Sequence, residues 1–279
     1  MLVELHGIGS DVLDDPVRAS LAGAHAHLAE RRGRVLRYPL DVSPFLSMPP
    51  DPGIDDWQDA AALVGAGGEV PLTGPAAVPP AGWAEARNMP GVQLTGENIF
   101  GAHDPAAVRL GEADVPEMLD LVRRTKPGPF LPRTVELGVY LGIRSGGALV
   151  AMAGERLHPP GWTEISAVCT DPAHRGRGLA TRLVLAVAAG IRDRGETPFL
   201  HASAANTHAI SLYERLGFRL RRTTEFRSVT VPAHDEGTAT APARDEHPTR
   251  VPARDERTTR VPANGESAAA VPARGEGTP

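Results

Sequence analysis

His174-Arg175-Gly176-Arg177-Gly178-Leu179-Ala180 is the stretch on which the reading of this chain turns. Just before it, the β-rich run Thr163 to Thr170 predicts a strand that ends in the turn Thr170-Asp171-Pro172. Just after it, Leu179, Leu183, Val187 and Ile191 repeat at helical spacing, and Gly195 supplies a stop near Arg194. A strand, a glycine turn and a helix N-terminus together gather backbone N–H groups at one place, where the helix dipole favours an anion. Gly176 and Gly178 remove Cβ atoms where a ligand would approach, and Arg175 and Arg177 add positive charge. The competing reading is an ordinary surface turn rich in Arg and Gly.

The surroundings extend the pattern. Downstream, Pro198 to Ser203 reads as a strand, Asn206 caps a helix that ends at Leu216-Gly217, and Phe218 to Phe226 returns as a strand. Upstream, Val108-Arg109-Leu110 is a short strand, and Asp114 caps a helix carrying Val115, Met118, Leu119 and Val122. Pro127 and Pro129 break that helix. Val139 to Arg144 and Ala148 to Arg156 then form a hairpin across Gly146-Gly147.

The first hundred residues predict a helix from Pro16 to Arg31, a strand at Val35 to Tyr38, a helix at Asp55 to Val64 and short strands near Val70 and Val92. The expectation is a smaller α/β unit of unknown role over 1–100, a main domain over 104–228, and a disordered tail over 229–279. The tail repeats Val-Pro-Ala-Arg-Asp-Glu-like units with one Pro each and few large apolar groups, too little to offset ordering entropy.

Composition narrows the classes. A net charge of -5 over 279 residues argues against a nucleic-acid binder driven by phosphate contacts. The longest apolar run, Leu183 to Ile191, falls short of the roughly 20 residues that span a bilayer. The single cysteine, Cys169, excludes an intrachain disulfide. The N-terminus does not read as a signal peptide. A cytoplasmic protein with no membrane partner is expected. His25-Ala26-His27 lacks a third ligand at metal-like spacing, and HExxH and CxxC are absent, so no metal is expected. Gly7-Ile8-Gly9 and Gly65-Ala66-Gly67-Gly68 are weak motifs, the second leading into Glu69-Val70-Pro71 and not into a helix.

The Arg-x-x-Gly-x-Ala pattern of Arg175, Gly178 and Ala180 resembles the pyrophosphate-binding signature of the GNAT acetyltransferase superfamily. The segment from His201 to Phe218, with Asn206 opening a helix, Tyr213 on it and Leu216-Gly217-Phe218 closing it, resembles that family's later strand–helix–strand region. Around Glu155 and Glu164 the likeness is to the FR47-like subgroup. The resemblance covers roughly Val108 to Phe226. It implies an α/β (α+β) fold with a mixed central sheet flanked by helices. It also implies an N-acetyltransferase moving an acetyl group directly from acetyl-CoA to a primary amine of a small molecule or peptide. An acyl-CoA-binding sensor without turnover is the alternative.

By the same resemblance, the backbone of Val168, Cys169 and Thr170 meets the pantetheine, and that of Arg175, Gly176, Arg177, Gly178, Leu179 and Ala180 holds the pyrophosphate. Asn206 touches the cofactor, and Tyr213 is the proton donor to the departing thiolate. Glu164 leads as the base, with Glu155, His201 and Glu136 as alternatives. Cys169 reads as a small core residue, not a nucleophile. Acceptor identity, acyl-chain preference and oligomeric state are not legible.

Overall fold

The computed structural model describes residues 11–72 and 78–233. The alternating run from Val139 to Arg156 forms the expected hairpin, and its neighbours assemble around it. In chain order the elements are helix α1 (Pro16–Ala22), strands β1 (Glu30–Arg32), β2 (Val35–Arg37) and β3 (Leu46–Ser47), and helix α2 (Ile54–Val64). Strands β4 (Glu69–Leu72), β5 (Ala84–Thr95) and β6 (Val108–Leu110) follow, then helix α3 (Val115–Thr125) and strands β7 (Tyr140–Ser145), β8 (Ala148–Glu155) and β9 (Trp162–Thr170). Helix α4 (Leu179–Asp193), strand β10 (Thr197–Ser203), helix α5 (Thr207–Arg215) and strand β11 (Arg219–Thr230) complete the series.

Among the described residues, eight strands form one mixed sheet in the order β4-β11-β5-β10-β9-β8-β7-β6. Within it the β9–β10 pair is parallel, and the other pairs are antiparallel. One face packs on the apolar stripe of α4, where Leu183, Val187 and Ile191 meet Leu94, Ile165 and Leu200. The opposite face carries two smaller clusters. Met118 and Leu121 of α3 cover Tyr140, Met152 and Cys169, while Val17 and Leu21 of α1 cover Leu157 and Phe199.

The sheet draws strands from both sides of residue 100. β5 lies between β10 and β11, and β4 extends the edge beyond β11. The described chain through Ala233 accordingly falls within one compact unit. The expected helix from Pro16 to Arg31 is shorter, ending at Ala22. Gly23 breaks it, a single 3-10 turn follows at Ala26–Leu28, and β1 begins at Glu30. The expected tail starts too early: Val229 and Val231 are 1% and 4% exposed, packed with Trp57 and Val70. Residues from 234 onward, with the repeats, lie outside the described residues. Among the described residues no helix is long and apolar enough to cross a membrane, and no group of His, Cys, Asp and Glu is arranged to hold a metal ion.

The break after α1 turns His25 inward. Its Nδ1 lies 2.8 Å from the Tyr38 hydroxyl and its Nε2 3.1 Å from the Leu137 carbonyl. Burial, helped by the nearby His158 ring, lowers its pKa from 6.5 to about 4. The folded state therefore binds fewer protons than the unfolded chain between those values. Stability is fully present above the unfolded pKa and drains as pH falls towards 4, by about 3 kcal/mol in all. Urea midpoints should fall through that window, and His25→Gln should flatten the fall. An unchanged slope in the variant would show that His25 is not the group responsible.

Candidate active site

Strands β9 and β10 are paired only at Trp162–Thr197, Thr163–Pro198 and Glu164–Phe199. Beyond Phe199, β10 stays with β5 as far as Ser203, and β9 stays with β8 as far as Thr170. A gap therefore opens inside the sheet. On β9 a bulge leaves Ala167 and Val168 opposite a single β8 residue, and Ala167 takes a left-handed φ of 53°. The Asp171 N–H donates to the Val150 carbonyl at 2.8 Å, and antiparallel alternation then directs the Cys169 N–H to β8 and the Thr170 N–H into the gap. Val168 and Thr170 are thus free of the β8 ladder on the gap side, whereas Cys169 is bound into it. The Cys169 thiol is buried among Met118, Leu121 and Met152, and burial raises its pKa.

At the end of β9, Asp171 accepts from the Ala173 N–H at 2.9 Å and pairs with Arg124 of α3, fixing the turn. Gly176 and Gly178 follow with φ of 76° and 71°, a region that glycine enters without strain. A Cβ at either would meet no protein atom within 4 Å. Backbone conformation, not crowding within the chain, requires glycine here, and the space above both is open. Helix α4 makes its first backbone bond from Arg182 to Gly178, at 3.0 Å. Gly178 has no side chain to cap it, and among the described residues nothing accepts from the N–H groups of Leu179, Ala180 and Thr181. Three orphan donors at the positive end of a fifteen-residue helix, with exposed Arg175 and Arg177 beside them, suit a phosphate-bearing ligand.

On the same face, Asn206 caps α5 by accepting from the Ala209 N–H at 3.1 Å. Tyr213 is buried in the α4-side cluster, its ring edge-on to Phe218 at 5.8 Å. Burial pushes its hydroxyl up to about 12, and no described residue hydrogen-bonds to it.

Glu164 sits at the apex of the gap and projects to the opposite face. It is fully buried and bonded to Arg156 at both oxygens, 2.6 and 2.7 Å, and to His201 Nδ1 at 2.7 Å. Burial alone would raise its pKa, but Arg156 and then His201 outweigh that and hold it at about 2. His201 Nε2 lies 3.0 Å from the Gln93 amide nitrogen, which also donates to the Leu13 carbonyl at 2.8 Å. Because Arg221 donates to the Gln93 amide oxygen at 2.8 Å, the amide nitrogen faces the ring. His201 is therefore set with its proton on Nδ1, towards Glu164. A cavity above this group is lined by Leu13, Phe45, Arg156, His201, Arg222 and Phe226, among others.

The remaining base candidates stand apart from this cavity. Glu155 accepts from the Val139 N–H at 3.0 Å and from Arg194 at 2.8 Å. Glu136 pairs at the surface with Arg133 at 2.6 Å. Sequence reasoning passed over Arg156, Gln93 and Leu13. An Arg closing the largely apolar run Ala148 to Arg156 was a signal, since a buried guanidinium requires a carboxylate; Gln93 and Leu13 carry no local signature.

Residues 140–227 match the FR47-like protein family. A solved putative acetyltransferase from the GNAT family of Novosphingobium aromaticivorans is 40% identical, with a TM-score of 0.71, over 79% of this chain and 98% of that one. The N-alpha-acetyltransferase RimI of Mycobacterium tuberculosis is 39% identical over 83 residues, which are 29% of this chain and 51% of that protein. The mycothiol acetyltransferase of Thermobispora bispora is 38% identical over 120 residues, 38% of each chain. The chain thus spans about half or less of the length of these two curated relatives. Identity of 40% over 98% of the Novosphingobium protein makes the chain a member of the GNAT acetyltransferase family.

Proposed function

We propose that the protein is an acetyl-CoA-dependent N-acetyltransferase that moves an acetyl group directly to a primary amine of a small molecule or peptide. The gap between β9 and β10 carries this reading, because it joins two differently equipped faces of one sheet. On one face lie the α4 N–H cradle, Arg175, Gly176, Arg177, Gly178, Leu179, Ala180 and Asn206, suited to the pyrophosphate, and Tyr213. On the other lie Glu164, His201 and the cavity. Relatives named for acetyl transfer support the same chemistry.

Acetyl-CoA supplies an acetyl group already activated as a thioester. The free N–H of Thr170 and the unpaired backbone at Val168 line the gap for its pantetheine arm, with Cys169 a wall residue. The amine nitrogen bonds to the acetyl carbon, the carbon–sulfur bond breaks, and the sulfur leaves as thiolate. Tyr213, protonated far above neutral pH, donates its proton to that sulfur. The amine proton leaves towards His201, whose ring Glu164 orients. Gln93 occupies Nε2 until an amine displaces its amide. Glu164, held ionised by Arg156, thus acts through His201 and not as the proton acceptor itself. A cytoplasmic setting, with Cys169 kept as a thiol, belongs to the same proposal.

Thiol release from acetyl-CoA in the presence of an amine panel tests the activity. Tyr213→Phe should lower kcat by about 100-fold while leaving acetyl-CoA affinity nearly unchanged. Tight acetyl-CoA binding with no thiol release from any amine would replace the enzyme with a sensor.

A further inference from the structure

The cavity over His201 has walls from two distant parts of the chain. Leu13, Pro16, Val17 and Phe45 come from the N-terminal segment, and Arg222, Thr224, Glu225 and Phe226 come from β11. The two walls are clamped together. Asp14 pairs with Arg221 at 2.7 Å and with Arg222 at 3.0 Å, and the Leu13 carbonyl is tied through Gln93 to His201. The N-terminal segment therefore roofs the catalytic face.

Size and charge define the occupant. The cavity opens to solvent at its rim and its inner room is about 80 Å³, the space of about six water molecules. Of the cations at its described lining, Arg156 is matched by both oxygens of Glu164, whereas Arg222 shares Asp14 with Arg221. The floor formed by Arg156 and Glu164 therefore has no cation left over for a carboxylate beside the amine. Glu225 at the rim faces Arg227 only across 3.9 Å, beyond hydrogen-bond reach, and its charge favours an incoming ammonium. Leu13, Val17, Leu72 and Phe226 supply apolar contact between rim and floor.

Resting on the acyltransferase reading, we propose that this cavity is the acceptor subsite, and that it takes a compact primary amine on a short apolar arm without an acidic group. The N-terminal roof excludes peptide termini.

Acetyl transfer to isoamylamine, to leucine (the same arm with a carboxylate) and to a tripeptide tests the proposal on the full chain. Isoamylamine should exceed both others by about tenfold or more in kcat/KM, equivalent to about 1.4 kcal/mol. Thr224→Trp, which fills the cavity from β11, should raise the KM for isoamylamine by at least about tenfold and leave that for acetyl-CoA unchanged, while Thr224→Ser stays near the parent. Leu72→Trp fills the same space from β4 and should repeat the effect should the first variant not fold. Leucine or the tripeptide serving as well as isoamylamine, or an unchanged KM in both Trp variants, overturns the subsite while the acetyltransferase reading stands. No thiol release with any amine overturns the acetyltransferase reading, and the subsite with it.

Discussion

Glu164→Ala is expected to destabilise the fold by about 3–5 kcal/mol, because it strands the Arg156 guanidinium in the interior without its partner. Both Glu164 oxygens are engaged, so the loss includes two bonds to Arg156 and one to His201. The ion pair itself need not add net stability, since removing two charges from water costs about as much as their attraction returns. The double variant Arg156→Met/Glu164→Leu should therefore regain most of the loss in urea unfolding, yet remain inactive because His201 has no anion behind it. A single variant as stable as the parent would mean that water reaches Arg156 freely. Acid sharpens the same point. The Glu164 pKa lies at about 2 when folded against 4.5 for an ordinary glutamate, so its contribution is present above 4.5 and disappears only as pH falls through about 2. That window reaches well below the one set by His25 and overlaps it only near pH 4, so a titration of stability against pH in the parent and in His25→Gln separates the two.

Ending the chain at Ser228 should unfold it more easily, whereas ending it at Ala233 should not. Val229 and Val231 are almost fully buried, and each contributes roughly 1.5–3 kcal/mol by leaving water. The cut also removes backbone bonds between Val231 and Gly67–Gly68, at 3.0 and 2.8 Å, and unpairs the end of β4. For a chain of this size the shorter truncation should lower Tm by on the order of 10 °C. Equal melting of the two truncations would show that the strand end at Thr230 carries no weight.

The tail boundary was misplaced for a physical reason. The unit beginning at Val231 resembles the repeats after it, and nothing local distinguishes it from them. Burial of Val231 depends on Trp57 and Val70, far away in sequence. The same limit applies to β5. A strand near Val92 is suggested by its residues, but its place between β10 and β11 arises because both those strands need a partner there.

Around His174 to Ala180 the opposite holds. A helix start and its positive-φ glycines are set by neighbouring residues, so a strand, an anion-cradling turn and a helix were legible at once. The apolar stripe of α4, the Asn206 cap and the Gly146-Gly147 hairpin are local for the same reason. The proton-handling face was not. Glu164, Glu155, Glu136 and His201 are alike on paper, each a titratable residue on or beside a strand. Packing distinguished them, enclosing Glu164 with Arg156, tying Glu155 to Arg194 and leaving Glu136 at the surface. By itself the sequence determined the elements and the cradle, because short-range backbone preferences govern both. The gap between β9 and β10, the roof over His201 and the charge state of Glu164 were decided only in the tertiary structure, because burial and ion pairing depend on residues that the chain brings together from opposite ends.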